Sequence, residues 1–251
     1  MSVSIKSKRE IEIMREAGKI LGTVMRDLSK EVKAGMSTYT LDKIGEEMIR
    51  SYGCIPSCKG YEGYPAAFCI SVNEAIVHSI PSKKIILKEG DIVSLDACLE
   101  YKGYQADAAR TVGVGQISKE AAQLIEVTKQ SFFEGVKYAK EGCHLHEISN
   151  AIAAYNESYG YGVIRELVGH GIGAEIHEDP PIPNFTQQRR GIKLYEGMTL
   201  AIEPMVSAGG YEVEWLDDDW TAVTADRSLA AHYENTVLVT KNGPEILTLV
   251  E

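Results

Sequence analysis

The chain has 251 residues, 44% of them hydrophobic and 25% charged, which is the composition of a folded globular protein and not of a disordered one. A formal net charge of -10 argues against a constitutive nucleic-acid binder, because neutralising phosphates requires clustered Lys and Arg. No apolar run approaches the roughly 20 residues of a membrane span, and the first residues lack the apolar centre of a secretory signal, so a cytoplasmic protein with reduced cysteines is expected.

In chain order, Ile11, Met14, Ala17, Leu21, Val24, Met25 and Leu28 recur at helical spacing and predict an amphipathic helix from about Lys8 to Leu28. A second helix is entered through Ser37 or Thr38, carries Leu41, Ile44 and Met48 on one side, and ends near Tyr52 and Gly53. Cys54 and Cys58 have no second Cys/His pair at finger spacing, which speaks against structural zinc. Four apolar, strand-like runs follow, and each contains an acid: Asp96 in GDIVSLDACLEY, Asp107 before TVGV, Glu203 in TLAIEPMV and Glu234 in HYENTVLV.

The chain also resembles itself. Lys33 and Gly35 recur as Lys140 and Gly142, Tyr52 and Gly53 as Tyr159 and Gly160, Glu89 and Gly90 as Glu196 and Gly197, and Asp96 as Glu203, all offset by 107 positions. With small indels, His78-x-x-Pro81 matches His177-x-x-Pro180, and Asp107 before Thr111 matches Glu234 before Thr236. A single domain over 1-251 with two duplicated halves, about 8-115 and 119-245, is therefore expected. The fold class is α+β, with helices and antiparallel strands of both halves joined in one curved sheet, helices on its outer face, and the acids meeting near a pseudo-twofold axis.

An unpaired carboxylate in an apolar strand either takes up a proton or finds a cation. Any one of the four acids would ordinarily pair with Lys or Arg or face solvent. Four at equivalent positions, with Arg110 the sole nearby cation, point instead to metal ions. His170, flanked by glycines in VGHGIG, adds one nitrogen to an oxygen-rich ligand set that suits a pair of Mn, Fe, Co or Zn ions sharing carboxylates. Such a pair activates water for amide hydrolysis. His78 and His177, at matching repeat positions, are expected to flank the metals as neutral donors to the substrate. His144 and His146 fall where a helix begins and read as structural, and His232 is left unassigned.

The segments GYPAAFCISVNEAIVHSIP, DIVSLDACLEYKGYQADAARTV, ELVGHGIGAEIHEDPPIPNF, EGMTLAIEPMV and DRSLAAHYENTVLVT resemble those of type I methionine aminopeptidases, of the pita-bread (creatinase/aminopeptidase-like) fold, over essentially the whole chain. The resemblance implies that Asp107 and Glu234 bridge two divalent metal ions, that Asp96 chelates one, and that His170 and Glu203 bind the other. It further implies that Glu203 acts as general base, that His177 contacts the scissile carbonyl and that His78 contacts the amide beyond it. Cys58, Tyr61, Tyr64, Cys69 and Trp220 would form the methionine pocket, joined by Ile176 where some relatives carry an aromatic residue. The implied partners are N-terminal methionyl peptides and nascent chains, with transient ribosome contact, no nucleic acid as substrate, no membrane, and a monomeric enzyme. Prolidases and aminopeptidase P share the fold but generally carry an extra N-terminal domain, for which 251 residues leave no room. A metal-free binding module of the same fold is disfavoured because all five ligand positions hold competent residues.

Overall fold

The computed structural model of the chain describes residues 3–250. Its first half runs α1 (Lys8–Glu31), α2 (Thr38–Ser51), β1 (Ile55–Pro56), β2 (Cys69–Val72), β3 (Ala75–Val77), β4 (Ile92–Tyr101) and β5 (Tyr104–Gly113). The second begins with α3 (Lys119–Val136) and α4 (Leu145–Ser158), then β6 (Gly162–Val163), β7 (Gly169–Gly171), β8 (Glu178–Ile182), β9 (Thr199–Ile202) and β10 (Met205–Ser207). It closes with β11 (Val213–Trp215), β12 (Ala222–Thr224), β13 (Ala230–His232), β14 (Glu234–Thr240) and β15 (Gly243–Ile246). Among the described residues no helix is long and apolar enough to cross a membrane.

Helix α1 starts where Ser7 accepts from the Glu10 amide and the Glu10 carboxylate accepts from the Ser7 amide. Its buried face is the apolar stripe read from the sequence, Met14 to Leu28. Gly18 and Gly22 lie on that face because the C-terminal segment crosses it: a Cβ at either would meet the Leu247 or Thr248 carbonyl oxygen at 2.5 Å. The expected helix at residue 37 is capped by Ser37, whose hydroxyl accepts from Thr40, and His144 is the residue at which α4 begins.

The main sheet has the order β1-β4-β5-β14-β9-β7-β8, with β2 added on β4 and β15 on β14. Every pairing in it is antiparallel. Side chains alternate faces along each strand, so Val93, Leu95, Ala97 and Leu99 pack with Leu21, Met25 and Leu28 of α1, while Ser94, Asp96 and Cys98 face the other way. In the second half, Phe132, Ile148 and Ile152 of α3 and α4 pack with Leu200, Ile202, Val237 and Val239. Helices therefore cover the outer face of a curved antiparallel sheet, the pita-bread arrangement. The Gly35 amide donates to the Leu87 carbonyl and that of Gly142 to Leu194, both glycines at positive φ (87° and 94°), so the two halves make the same turn in the same way.

The segment that leads into β2 is hung from α2 by one carboxylate. Asp42, 1% exposed, accepts from the amides of Ala67 and Phe68 at 2.9 and 3.0 Å. Replacing Asp42 with Ala strands two buried donors and is expected to lower unfolding free energy by about 2 to 4 kcal/mol. Urea denaturation measures this, and a loss below about 1 kcal/mol would mean that the segment is held by packing alone.

Candidate active site

The register of the four central strands sets the acids side by side. Asp96 on β4 pairs with Ala109 on β5, and Ala109 with Glu234 on β14. Directly opposed residues of antiparallel strands share a face, as do residues two apart, which adds Asp107 to the row. On β9, Asn235 pairs with Ile202, so Glu203, one residue further, continues the row beyond Glu234. His170 on β7 pairs with Ala201 and joins the same face. The small side chains of Ala109 and Ala201 leave that face open. One cross-link ties the halves here: the Asp107 amide donates to Thr236 Oγ1 at 2.8 Å, and that hydroxyl donates to the Asp107 carbonyl at 2.9 Å.

Asp107, His170 and Glu234, all buried, each present a donor atom within 4.8 Å of the others. His170 Nε2 lies 3.8 Å from Asp107 Oδ2 and 3.6 Å from Glu203 Oε1. Its Nδ1 sits 2.8 Å from the Gly171 carbonyl, which must accept, so Nδ1 carries the proton and Nε2 turns a lone pair to the acids. Burial, reinforced by Asp107, pushes Asp96 up to about 8; burial likewise pushes Asp107 up to about 7 and raises Glu203 and Glu234. The histidines move the other way: burial lowers His170 to about 3 and His78 and His232 to about 4, so all three are neutral. Among the described residues no lysine or arginine pairs with the four acids. Arg110, three residues from Asp107 and hence on the opposite face, stacks on Tyr233 at 4.5 Å and donates to the Glu234 carbonyl and Asn235 Oδ1.

The residue set fits divalent ions. Asp107 Oδ1 is buried with no hydrogen-bond partner among the described residues while Cys98 Sγ donates to its Oδ2 at 2.9 Å, so one oxygen is tied and the other is left for a ligand. Carboxylates crowded this closely are each other's penalty until a cation joins them.

All thirteen site residues expected from the sequence line one cavity of about 340 Å³: the four acids and His170, His78, His177, and Cys58, Tyr61, Tyr64, Cys69, Ile176 and Trp220. His78 is held at a φ of 59°, a strained conformation for a side-chain-bearing residue. His177 is exposed at the mouth, its ring 4.3 Å from that of His170 and its Nδ1 2.7 Å from the Tyr61 hydroxyl. Tyr64 meets Trp220 edge to face at 5.0 Å and donates to the Ser79 carbonyl, and Cys58 and Cys69 pack beside them.

Three contributors escape a reading of the sequence by motif. Cys98 and His232 stand two residues from Asp96 and Glu234, so strand alternation alone would have put them on the site face. The ion pair of Lys6 with Glu178, which pins the turn carrying Ile176 and His177, joins residues 172 apart and leaves no local signal.

Comparison with known proteins agrees with this geometry. The family model described as metallopeptidase family M24 matches residues 12–241. The chain is 56% identical over 249 residues to a methionine aminopeptidase of Clostridium acetobutylicum, covering 99% of this chain and 100% of that protein. It is 47% identical to methionine aminopeptidase 1 of Bacillus subtilis, covering 98% of each. The crystal structure of a methionine aminopeptidase from Thermotoga maritima superposes with a TM-score of 0.97 at 43% identity, over 99% of this chain and 100% of that one. With such matches running nearly end to end, the chain belongs to metallopeptidase family M24, among its methionine aminopeptidases.

Proposed function

We propose that the chain hydrolyses the first peptide bond of peptides and nascent proteins that begin with methionine, acting as a cytoplasmic monomer with two divalent ions. The observation that carries this is the row of four acids and His170 on one sheet face with Asp107 Oδ1 unpartnered beside them. Asp107 and Glu234, on the adjacent strands β5 and β14 with Glu234 opposite Ala109, two residues from Asp107, would be the ligands shared by both ions. Asp96 would complete one ligand set and His170 with Glu203 the other. When bound, the ions supply Lewis acidity that makes water a nucleophile at neutral pH. The repeated turns of the two halves support reading the chain as one duplicated domain.

The remaining steps belong to side chains. Glu203, raised by burial, is suited to accept the proton of the attacking water and deliver it to the departing amine. Burial raises the Tyr61 phenol, which keeps its proton and so is able to donate to His177 Nδ1, 2.7 Å away. In that tautomer His177 Nε2–H donates to the carbonyl oxygen as charge builds on it. Neutral His78, which also lines the cavity, would contact the amide beyond. The thioether of methionine fits the polarizable pocket of Cys58, Tyr64, Cys69 and Trp220.

After metal stripping, cleavage of Met-Ala-Ser is expected to vanish and to return with Mn, Fe, Co or Zn added singly, while Asp107→Ala and Glu234→Ala lose metal and activity together. Near-normal turnover in either variant would sink the ligand assignment. Cys58→Phe is expected to fill the pocket and raise KM for methionyl peptides by roughly tenfold or more; unchanged KM would remove Cys58 from it. The raised acids also set a pH dependence. Below about pH 7, Asp107 and Asp96 hold protons that an incoming ion must displace, and above about pH 8 they do not. Mn(II) affinity of the stripped protein should therefore climb from pH 6 to pH 9, with proton release falling over the same range. Calorimetry in buffers of different ionisation enthalpy reads both, and a pH-independent proton count would contradict the assignment.

A further inference from the structure

His232 has no role in the reaction as described, yet it is 2% exposed and neither ring nitrogen has a hydrogen-bond partner among the described residues. A fully buried imidazole is not left with two idle nitrogens without cause. Its backbone is clamped: the amide donates to Thr111 Oγ1 at 2.8 Å, and the same hydroxyl donates to its carbonyl at 2.9 Å. The ring is thus delivered to one place, with Nε2 3.6 Å from Glu203 Oε2. That distance is just beyond a hydrogen bond and closes with a shift of roughly 0.7 Å.

We propose that His232 is a positioning residue of the metal centre, its Nε2–H donating to Glu203 Oε2 so that Oε1 is presented to the ions. The inference rests on the metal-centre reading above. Its precedent within the same site is Cys98, whose thiol ties one oxygen of Asp107 and leaves the other free. In Glu203 the oxygen left over, Oε1, is the one that faces His170 Nε2, at 3.6 Å. His170 differs in kind, because the Gly171 carbonyl fixes its tautomer with the Nε2 lone pair toward the acids. Among the described residues no backbone carbonyl does this for His232, so its Nε2 is free to carry the proton. Partners of this sort orient ligating carboxylates and hold the centre in shape.

The test is titration of the metal-stripped full chain with Co(II) alone, followed by X-ray absorption of the loaded protein to count nitrogen ligands. His232→Leu is expected to weaken Co(II) binding by about 10- to 100-fold. His232→Gln, whose amide N–H reaches the same oxygen, is expected to bind within about threefold of the parent, with the nitrogen count unchanged in both. Equal binding by His232→Leu overturns the proposal, as does a His232→Gln as weak as His232→Leu. A nitrogen lost from the count overturns it too, by making His232 a ligand. If His232→Leu does not fold by circular dichroism, His232→Asn, too short to reach Oε2, replaces it: weak binding by Asn with tight binding by Gln supports the role, and equal binding overturns it. A parent chain that takes up no Co(II) overturns the metal-centre reading as a whole, whereas the variant outcomes bear on His232 alone.

Discussion

Four carboxylates share one face of four adjacent strands, and most of the architecture is arranged around the repulsion this creates. Two like charges about 4 Å apart repel by about 4 kcal/mol at an effective dielectric of 20, several times the net worth of a hydrogen bond, about 1 kcal/mol. Donors such as the Cys98 thiol can therefore orient these groups but cannot neutralise them. Among the described residues no Lys or Arg pairs with them, and Arg110 is turned to the opposite face and spends its donors on the Glu234 and Ala109 carbonyls, Asn235 and Thr248. The sheet accepts the cost because the helices bury its other face in two apolar cores, and because the Thr236 hydroxyl stitches β14 to β5 beside the acids. A rigid frame with a concentrated negative pocket is a frame built for divalent cations.

Strand alternation and the internal offset made much of this legible from the sequence. Runs such as IVSLDACL bury one set of residues against α1 and expose the other to the cavity, so an acid in the second set is conspicuous among apolar neighbours. The same alternation separates Arg110 from Asp107, three residues away, and so answers the question of pairing that composition left open. The amphipathic stripe from Ile11 to Leu28 became α1 because nothing in it competes: a Ser7 cap, no proline, and glycines only where the C-terminal segment crosses.

What stayed hidden was contact between distant segments. Lys6 reaches Glu178, Tyr61 reaches His177, and Asp42 reaches the amides of Ala67 and Phe68; each joins stretches whose proximity follows only from the assembled fold. No periodicity encodes them, because a side chain that bridges two loops obeys neither the helical nor the strand repeat. His232 lies between these cases, since alternation assigns its face but not its idle nitrogens, which are visible only once the neighbours are in place.

The two walls of the cavity mouth are built differently, and the difference bears on selectivity. One wall is the turn carrying Ile176 and His177, pinned by the Lys6–Glu178 pair, with Lys6 itself buried. The other is the short turn Tyr61–Gly63, where Glu62 holds a φ of 48° between Gly60 and Gly63, both at 93°. Tyr61 belongs to this second wall and also holds His177 Nδ1. On the proposed reaction, with Tyr61 donating to His177 Nδ1, one residue of the methionine pocket also sets the tautomer of the group facing the carbonyl. Recognition of the side chain and polarisation of the bond to be cut then share a single hydrogen bond, so a poorly fitting first residue loses transition-state stabilisation as well as binding.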